Sequence, residues 1–184
     1  SQGFEGEVMP WDMAYYSEKY RHEKYELNEE LVKPYLQLDS VKRGVFLLAN
    51  KLYGLNFTPN PEVPVYHPEV TAYDVTDKDG RFLAELYLDF FPRATKRGGA
   101  WETVEGHETR PLVSLVMNFT KPTDTTPSLL TFSEFETFLH EFGHALHAIL
   151  SEGEHESISG THVYQDFVEL PSQIMENWAT EKEF

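Results

Sequence analysis

Thr137-Phe138-Leu139-His140-Glu141-Phe142-Gly143-His144-Ala145-Leu146-His147 places two histidines four residues apart, with a glutamate directly after the first. Upstream, Thr131 with Glu134 and Ser133 with Glu136 both fit the capping box, in which a hydroxyl and a carboxylate satisfy free backbone donors reciprocally. A helix is therefore expected to start there and run to about Ser151, with Gly153 as its stop. At about 100° per residue, His144 lies roughly 40° round from His140 and one turn along, so both imidazoles project from one face and can share a metal ion. Glu141 sits beside that face. Phe138, Phe142, Ala145, Leu146 and Ile149 fill the opposite arc, so the helix can bury one side and present the other to a cleft.

His-Glu-x-x-His on a helix is the zincin signature, two zinc ligands and a general base on adjoining positions. Alone it is weak, because shuffling a chain of this composition produces the motif in roughly 4% of cases, and the competing reading is a solvated helix face. A third ligand in a sensible place separates the two readings. His147 sits about 10 Å along the axis from His140, too far to share one ion at bonds of about 2 Å, and reads as structural or part of the rim. A metzincin needs a histidine six residues after His144, where Leu150 stands. The ligand must come from elsewhere.

Asp166-Phe167-Val168-Glu169 through Trp178 reads as a second helix, with Pro171 tolerated near its first turn, where backbone donors are free. Its wheel puts Asp166, Glu169, Gln173 and Glu176 on one face and Phe167, Pro171, Ile174, Met175 and Trp178 on the other. Two helices packed by their apolar sides would set a carboxylate opposite the imidazoles and complete a His2Glu set with an open fourth position, the arrangement of catalytic zinc. Spacing leaves Glu169 and Glu176 as equal candidates, and acidic helix faces are more often simply solvated.

Toward the N-terminus the pattern turns to β. Leu112 to Phe119 is a strand too continuously apolar to leave one face open. Val70 to Val75 and Arg81 to Phe91 flank Asp77-Lys78-Asp79-Gly80 as strand, turn and strand. A calcium loop fails there, since aligning Gly80 with that loop's glycine puts Val75 and Leu86 at the terminal ligand positions. Lys96-Arg97-Gly98-Gly99 reads as a flexible basic loop, and with no helix following it is no phosphate cradle. Thr58 to Pro68 holds four prolines, Pro59, Pro61, Pro64 and Pro68, and reads as an extended connector. Before it, Val41, Val45, Leu48 and Leu52 mark a helix capped by Asp39 or Ser40 and closed at Gly54. Trp11 to Leu27 reads as a first helix whose Met13, Tyr16 and Tyr20 stripe faces the core. The expected fold is α+β: helices over 1–57, connector over 58–69, a small twisted sheet over 70–119 and two metal-bearing helices within 131–184.

The 184 residues carry 15 Lys plus Arg against 31 Asp plus Glu, a net charge of −16, with 40% hydrophobic residues and no cysteine. Such a chain can build one domain with a real core. Its charge argues against nucleic acid and against polybasic membrane contact, both of which need clustered Lys and Arg. Without cysteine, a metal must be held by His, Asp or Glu. The longest apolar run, Val45 to Ala49, falls far short of the ~20 residues of a membrane span. The acidic start, Ser1 to Glu7, lacks a signal peptide's basic region, so a soluble, cytoplasmic chain is expected.

Taken together, the 137–147 stretch, Ser159-Gly160-Thr161, Asp166 to Gln173 and Glu176-Asn177-Trp178 resemble the thimet oligopeptidase, oligopeptidase A and peptidyl-dipeptidase family of zinc metallopeptidases. Leu86 to Arg93, Lys96 to Trp101 and Met117-Asn118-Phe119 extend the likeness, which is nearest to the peptidyl-dipeptidase and oligopeptidase A branch. The resemblance implies a zincin-like catalytic fragment that binds one Zn2+ through His140, His144 and Glu169, with Glu141 as general base and proton shuttle. It thereby chooses Glu169 over Glu176. Asp166 and Glu176 become the groups that orient the imidazoles through their outer nitrogens.

The same resemblance implies zinc-dependent hydrolysis of short oligopeptides, as an oligopeptidase or a peptidyl-dipeptidase. Family chains are several times longer and supply substrate-binding and oxyanion-binding His and Tyr residues beyond Phe184, so the rest of such a catalytic domain is an expected partner and substrate contacts are unassigned. By the same resemblance, Trp101 to Arg110 is expected to be shorter than the segment that usually follows the Gly-Gly-Ala-Trp stretch. The alternatives are a zinc-retaining but catalytically incomplete peptide-binding fragment, and a structural domain without metal. Leu112 to Asn118 either offers its edge to an extended peptide or is an interior strand.

Overall fold

The computed structural model describes residues 9–25, 29–105, 110–153, 155–182 and 184. The acidic start, the end of the first helix at Leu27 and residues 106–109 lie outside them. Five strands form one sheet: β1 (Asn56–Pro59), β2 (Thr71–Thr76), β3 (Phe82–Asp89), β4 (Trp101–Glu105) and β5 (Leu112–Val116). Their order across the sheet is β1-β2-β3-β5-β4, with β3 and β5 parallel and the other neighbours antiparallel.

Strand periodicity decides which side is buried. Registers align Tyr73 with Leu86 and Val75 with Ala84, then Leu86 with Val113 and Leu88 with Leu115, and all are buried on one face. That face forms one core with helices α3 (Leu38–Tyr53) and α4 (Phe132–Leu150). Val45 and Ala49 of α3 and Phe138, Leu139, Phe142 and Ala145 of α4 have no exposed surface. Around them, Phe46 stacks on Phe57 at 4.2 Å and Phe90 meets Phe138 edge-on at 5.2 Å, arrangements that favour ring quadrupoles as well as burial. The remaining helices are α1 (Met13–Tyr25), α2 (Glu29–Val32), α5 (Gln165–Val168) and α6 (Leu170–Glu176). Mixed helices and one sheet agree with an α+β architecture.

Several expectations need correction. The proline-rich connector begins as a strand, because Asn56 to Pro59 pairs with Thr76 to Tyr73 at the sheet's edge, where a missing proline donor is tolerated. Helix α3 starts at Leu38 with Gln37 as N-cap, whose carbonyl accepts the Ser40 and Val41 amides at 2.9 Å, but it does end at Gly54 with φ +71°. The α1 stripe does not reach the core: Met13 and Tyr20 are more than half exposed, since charged residues flank a stripe too narrow to bury. Strand β4 escaped the sequence reading, and it pairs with β5 on the side away from β3. β5 is therefore an interior strand with no free edge. The free edge on that side of the sheet belongs to β4.

Candidate metal centre

Helix α4 begins as its sequence directs. Thr131 Oγ1 accepts the Glu134 amide at 3.1 Å, and Glu134 Oε2 accepts the Thr131 amide at 2.8 Å. The helix carries His140 and His144 with ring centroids 5.0 Å apart. Its neighbour α6 comes unusually close at Gly143, where a Cβ would stand 2.5 Å from the Pro171 carbonyl oxygen and 2.5 Å from Ser172 Cα.

The expected second helix is broken. α5 ends at Val168 and α6 starts at Leu170, leaving Glu169 at the junction as the N-cap residue of α6, with Pro171 in the first turn as its missing donor allows. The break also spoils the simple wheel: Met175 is buried, but Phe167 and Ile174 are about half exposed. Ser172, on the first turn of α6, turns back to donate its hydroxyl to Glu169 O at 2.9 Å and Oε2 at 2.8 Å.

These elements bring one Glu169 oxygen, Oε2, to 3.3 Å from His140 Nε2 and 3.2 Å from His144 Nε2. The three donor atoms lie within 4.8 Å of one another and could hold a metal ion. Tetrahedral zinc with bonds near 2.0–2.1 Å separates its ligands by roughly 3.3 Å, so the Glu169 distances fit the ion without rearrangement. The chemistry of the donor set fits too. Burial lowers the His144 pKa, against the raising effect of Glu169, so its ring favours the neutral form with a lone pair to give. The Ser172 hydrogen bond, helped by both histidines, holds the Glu169 carboxyl below its ordinary range.

On the outer side, His140 Nδ1 lies 2.6 Å from Glu176 Oε1, the hydrogen bond that fixes a ligating imidazole's tautomer and orientation. Asp166 is exposed and has no hydrogen bond or ion pair among the described residues, while His144 Nδ1 is buried and has no partner among them. His147 packs against Phe167 with ring centroids at 6.1 Å.

Glu141 is buried beside His140, and burial, partly opposed by His140, raises its pKa. Glu102 on β4, which lies opposite Leu115 and hence faces the helices, has its pKa raised to about 7 by burial and then by Glu141. An open cavity of about 420 Å³ is walled in part by Ala100, Thr137, His140, Glu141 and Glu176. Sequence reasoning missed Gly143, Ser172 and Glu102. Only Gly143 left a signal, a costly glycine inside an otherwise good helix.

Two imidazoles and a carboxylate within reach of both could hold a metal ion, with a buried glutamate beside them; metal-assisted hydrolysis uses residues of these types. The chain belongs to peptidase family M3, which it matches over residues 1–184. It is 44% identical over 179 residues to the dipeptidyl carboxypeptidase of Salmonella typhimurium (strain LT2), covering 94% of this chain and 26% of that protein. It is 38% identical over 186 residues to oligopeptidase A of Escherichia coli (strain K12), covering 96% and 27%. It is 40% identical over 182 residues to a probable cytosolic oligopeptidase A of Arabidopsis thaliana, covering 91% and 26%. The chain spans about a quarter of the length of these relatives.

Proposed function

We propose that the chain carries the metal centre of a zinc-dependent, zincin-like peptidase that hydrolyses peptide bonds in short oligopeptides, as an oligopeptidase or a peptidyl-dipeptidase. The observation that carries this reading is the approach of Glu169 Oε2 to both histidine Nε2 atoms beside a buried Glu141. Membership of a peptidase family supports the reaction class, and the names of the relatives support the two modes of cleavage.

Zinc held by His140, His144 and Glu169 would supply Lewis acidity toward a water and toward the scissile carbonyl. Glu176 accepts a hydrogen bond from the His140 Nδ1–H and so keeps the Nε2 lone pair turned inward. Glu141, its proton affinity raised by burial, takes the proton of the attacking water and passes it to the leaving amine. An extended peptide pairs with the free edge of β4, which gives backbone grip without reading side chains. Among the described residues no helix is long and apolar enough to cross a membrane. The compartment we propose is the cytoplasm, with the cytosolic Arabidopsis relative as support.

The test compares Glu141→Gln and His140→Ala in the full-length protein, by zinc content and cleavage of an internally quenched peptide. Glu141→Gln keeps zinc and loses at least ~10²–10⁴-fold in turnover, the scale of general-base catalysis; His140→Ala loses the metal as well. Near-normal cleavage by Glu141→Gln would remove Glu141 from its role. Full activity of zinc-free protein would remove zinc. Peptide binding without turnover by the unaltered protein would favour a peptide-binding module.

A further inference from the structure

Residues 96–99, whose sequence suggests a flexible loop, are held at both ends. Lys96 is almost wholly buried, and its ammonium donates to Asp89 Oδ1, Asp89 O and Phe91 O, each at 2.9 Å. Asp89 is further engaged by Arg93 at 2.8 and 2.9 Å and by the Tyr66 hydroxyl at 3.0 Å. At the other end, Asn118, just beyond β5, uses its side-chain amide to donate to Arg97 O at 3.0 Å and Gly99 O at 2.7 Å. Gly99 sits at φ +93°, a conformation that favours glycine and turns the chain into β4.

The peptide unit between Gly99 and Ala100 is trans, so its carbonyl and its N–H point in opposite directions. With the Gly99 carbonyl tied to Asn118, the Ala100 N–H faces away from Asn118, and it donates no hydrogen bond among the described residues. Ala100 forms part of the cavity wall beside His140, Glu141 and Glu176, and it immediately precedes the free edge of β4.

We propose that Asn118 is a positioning residue for substrate: by fixing the Gly99 carbonyl it aims the Ala100 N–H into the metal cavity, where that N–H donates to a main-chain carbonyl of the bound peptide. The occupant is the backbone of an extended peptide, whatever its side chains. This rests on the peptidase reading given above, to which it adds a residue that contacts neither metal nor substrate.

The experiment uses the full-length protein loaded with zinc. Asn118→Ala removes the donors, and Asn118→Asp replaces them by an acceptor of the same shape. The ligands are a cleavable peptide and a set of analogues, each with one carbonyl outside the scissile bond replaced by methylene. We expect both variants to keep zinc content and Tm, to raise KM about tenfold, the loss of one main-chain hydrogen bond, and to change kcat less. One analogue should bind the unaltered protein about tenfold more weakly than the parent peptide, yet bind the Asn118 variants no more weakly than that peptide does. A residue that merely supports the fold would weaken all analogues equally. Unchanged KM in variants with intact zinc and Tm would overturn the proposal. So would an unaltered protein indifferent to every carbonyl removed, a measurement that stands even where both variants fail to fold. Absence of zinc-dependent cleavage by the unaltered protein would instead overturn the peptidase reading.

Discussion

Gly143 and Ser172 set the spacing of the two helices that build the centre: a Cβ on Gly143 would lie 2.5 Å from Ser172 Cα. Ser172 in turn holds Glu169 Oε2 at 2.8 Å, so the absence of one methyl group on α4 determines where the carboxylate stands relative to His140 and His144.

Gly143→Ala therefore tests this contact against helix propensity. Propensity alone would stabilise α4 by about 1 kcal/mol. The clash is with backbone atoms of Pro171 and Ser172, which no rotamer change relieves, so α6 must move away. Overpacking of this kind costs roughly 1–3 kcal/mol. We expect a lower Tm and a zinc affinity at least ~10-fold weaker, because the donors separate. Thermal melts with and without chelator, and competition against a fluorescent zinc chelator, read the two effects. A more stable variant with unchanged affinity would show that α6 is free to shift.

Glu176 should tune the metal without binding it. Its Oε1 lies 2.6 Å from His140 Nδ1, on the side of the ring away from Glu169. Glu176→Ala should lower zinc affinity about 10–100-fold, and Glu176→Gln, which still offers an acceptor oxygen, should lower it less. Equilibration in zinc buffers measures both. Equal, full loss in the two variants would mean that Glu176 is itself a ligand.

What could be read in the sequence follows from the range of the forces involved. α4 was legible because its capping box and apolar period are local, and so His140, Glu141 and His144 fell on the expected face. Glu169 could be assigned only by resemblance. Its placement depends on a helix break at 169 and on contact across Gly143, neither of which periodicity encodes. β4 was missed because Trp101-Glu102-Thr103-Val104-Glu105 mixes charge into a short strand after two glycines. Its pairing with Leu112 to Val116 is a tertiary event, and it also decides between the two readings of that segment in favour of an interior strand. The apparent flexibility of 96–99 vanished because Lys96 found a buried carboxylate seven residues before it.

That buried pair makes a third prediction. Burial opposes ionisation of Asp89, but the Arg93 and Lys96 hydrogen bonds more than offset it and hold its pKa below the usual carboxylate value. Lys96→Met keeps the stem's volume while removing the charge that Asp89 needs. Breaking one partner from a buried pair typically costs about 3–5 kcal/mol, here moderated by the remaining Arg93 contact. Chemical denaturation should show the loss, and Asp89→Asn in the same background should recover part of it by removing the unpaired charge. Two additive losses would show that Lys96 and Asp89 act independently.

The opposite sign is expected at Glu85. It faces Asp74 across the β2–β3 pair, on the side of the sheet away from the helices, and its Oε1 is buried with no hydrogen-bond partner among the described residues. Burial first, then the hydrogen bond and charge of Asp74, raise its pKa to about 7. Between the unfolded value of roughly 4.3 and about 7 the folded chain holds a proton that the unfolded chain has lost. Stability from this group is thus present in full below that window, falls as pH rises through it, and is absent above it. Glu85→Gln supplies a neutral amide that needs no proton and can donate to Asp74. It should match the unaltered protein near pH 4.5 and exceed it near pH 8 by about 1–3 kcal/mol, a gap that Tm measured across that range would reveal. A gap of constant size from pH 4.5 to 8 would place the effect in packing and leave the proton out of it.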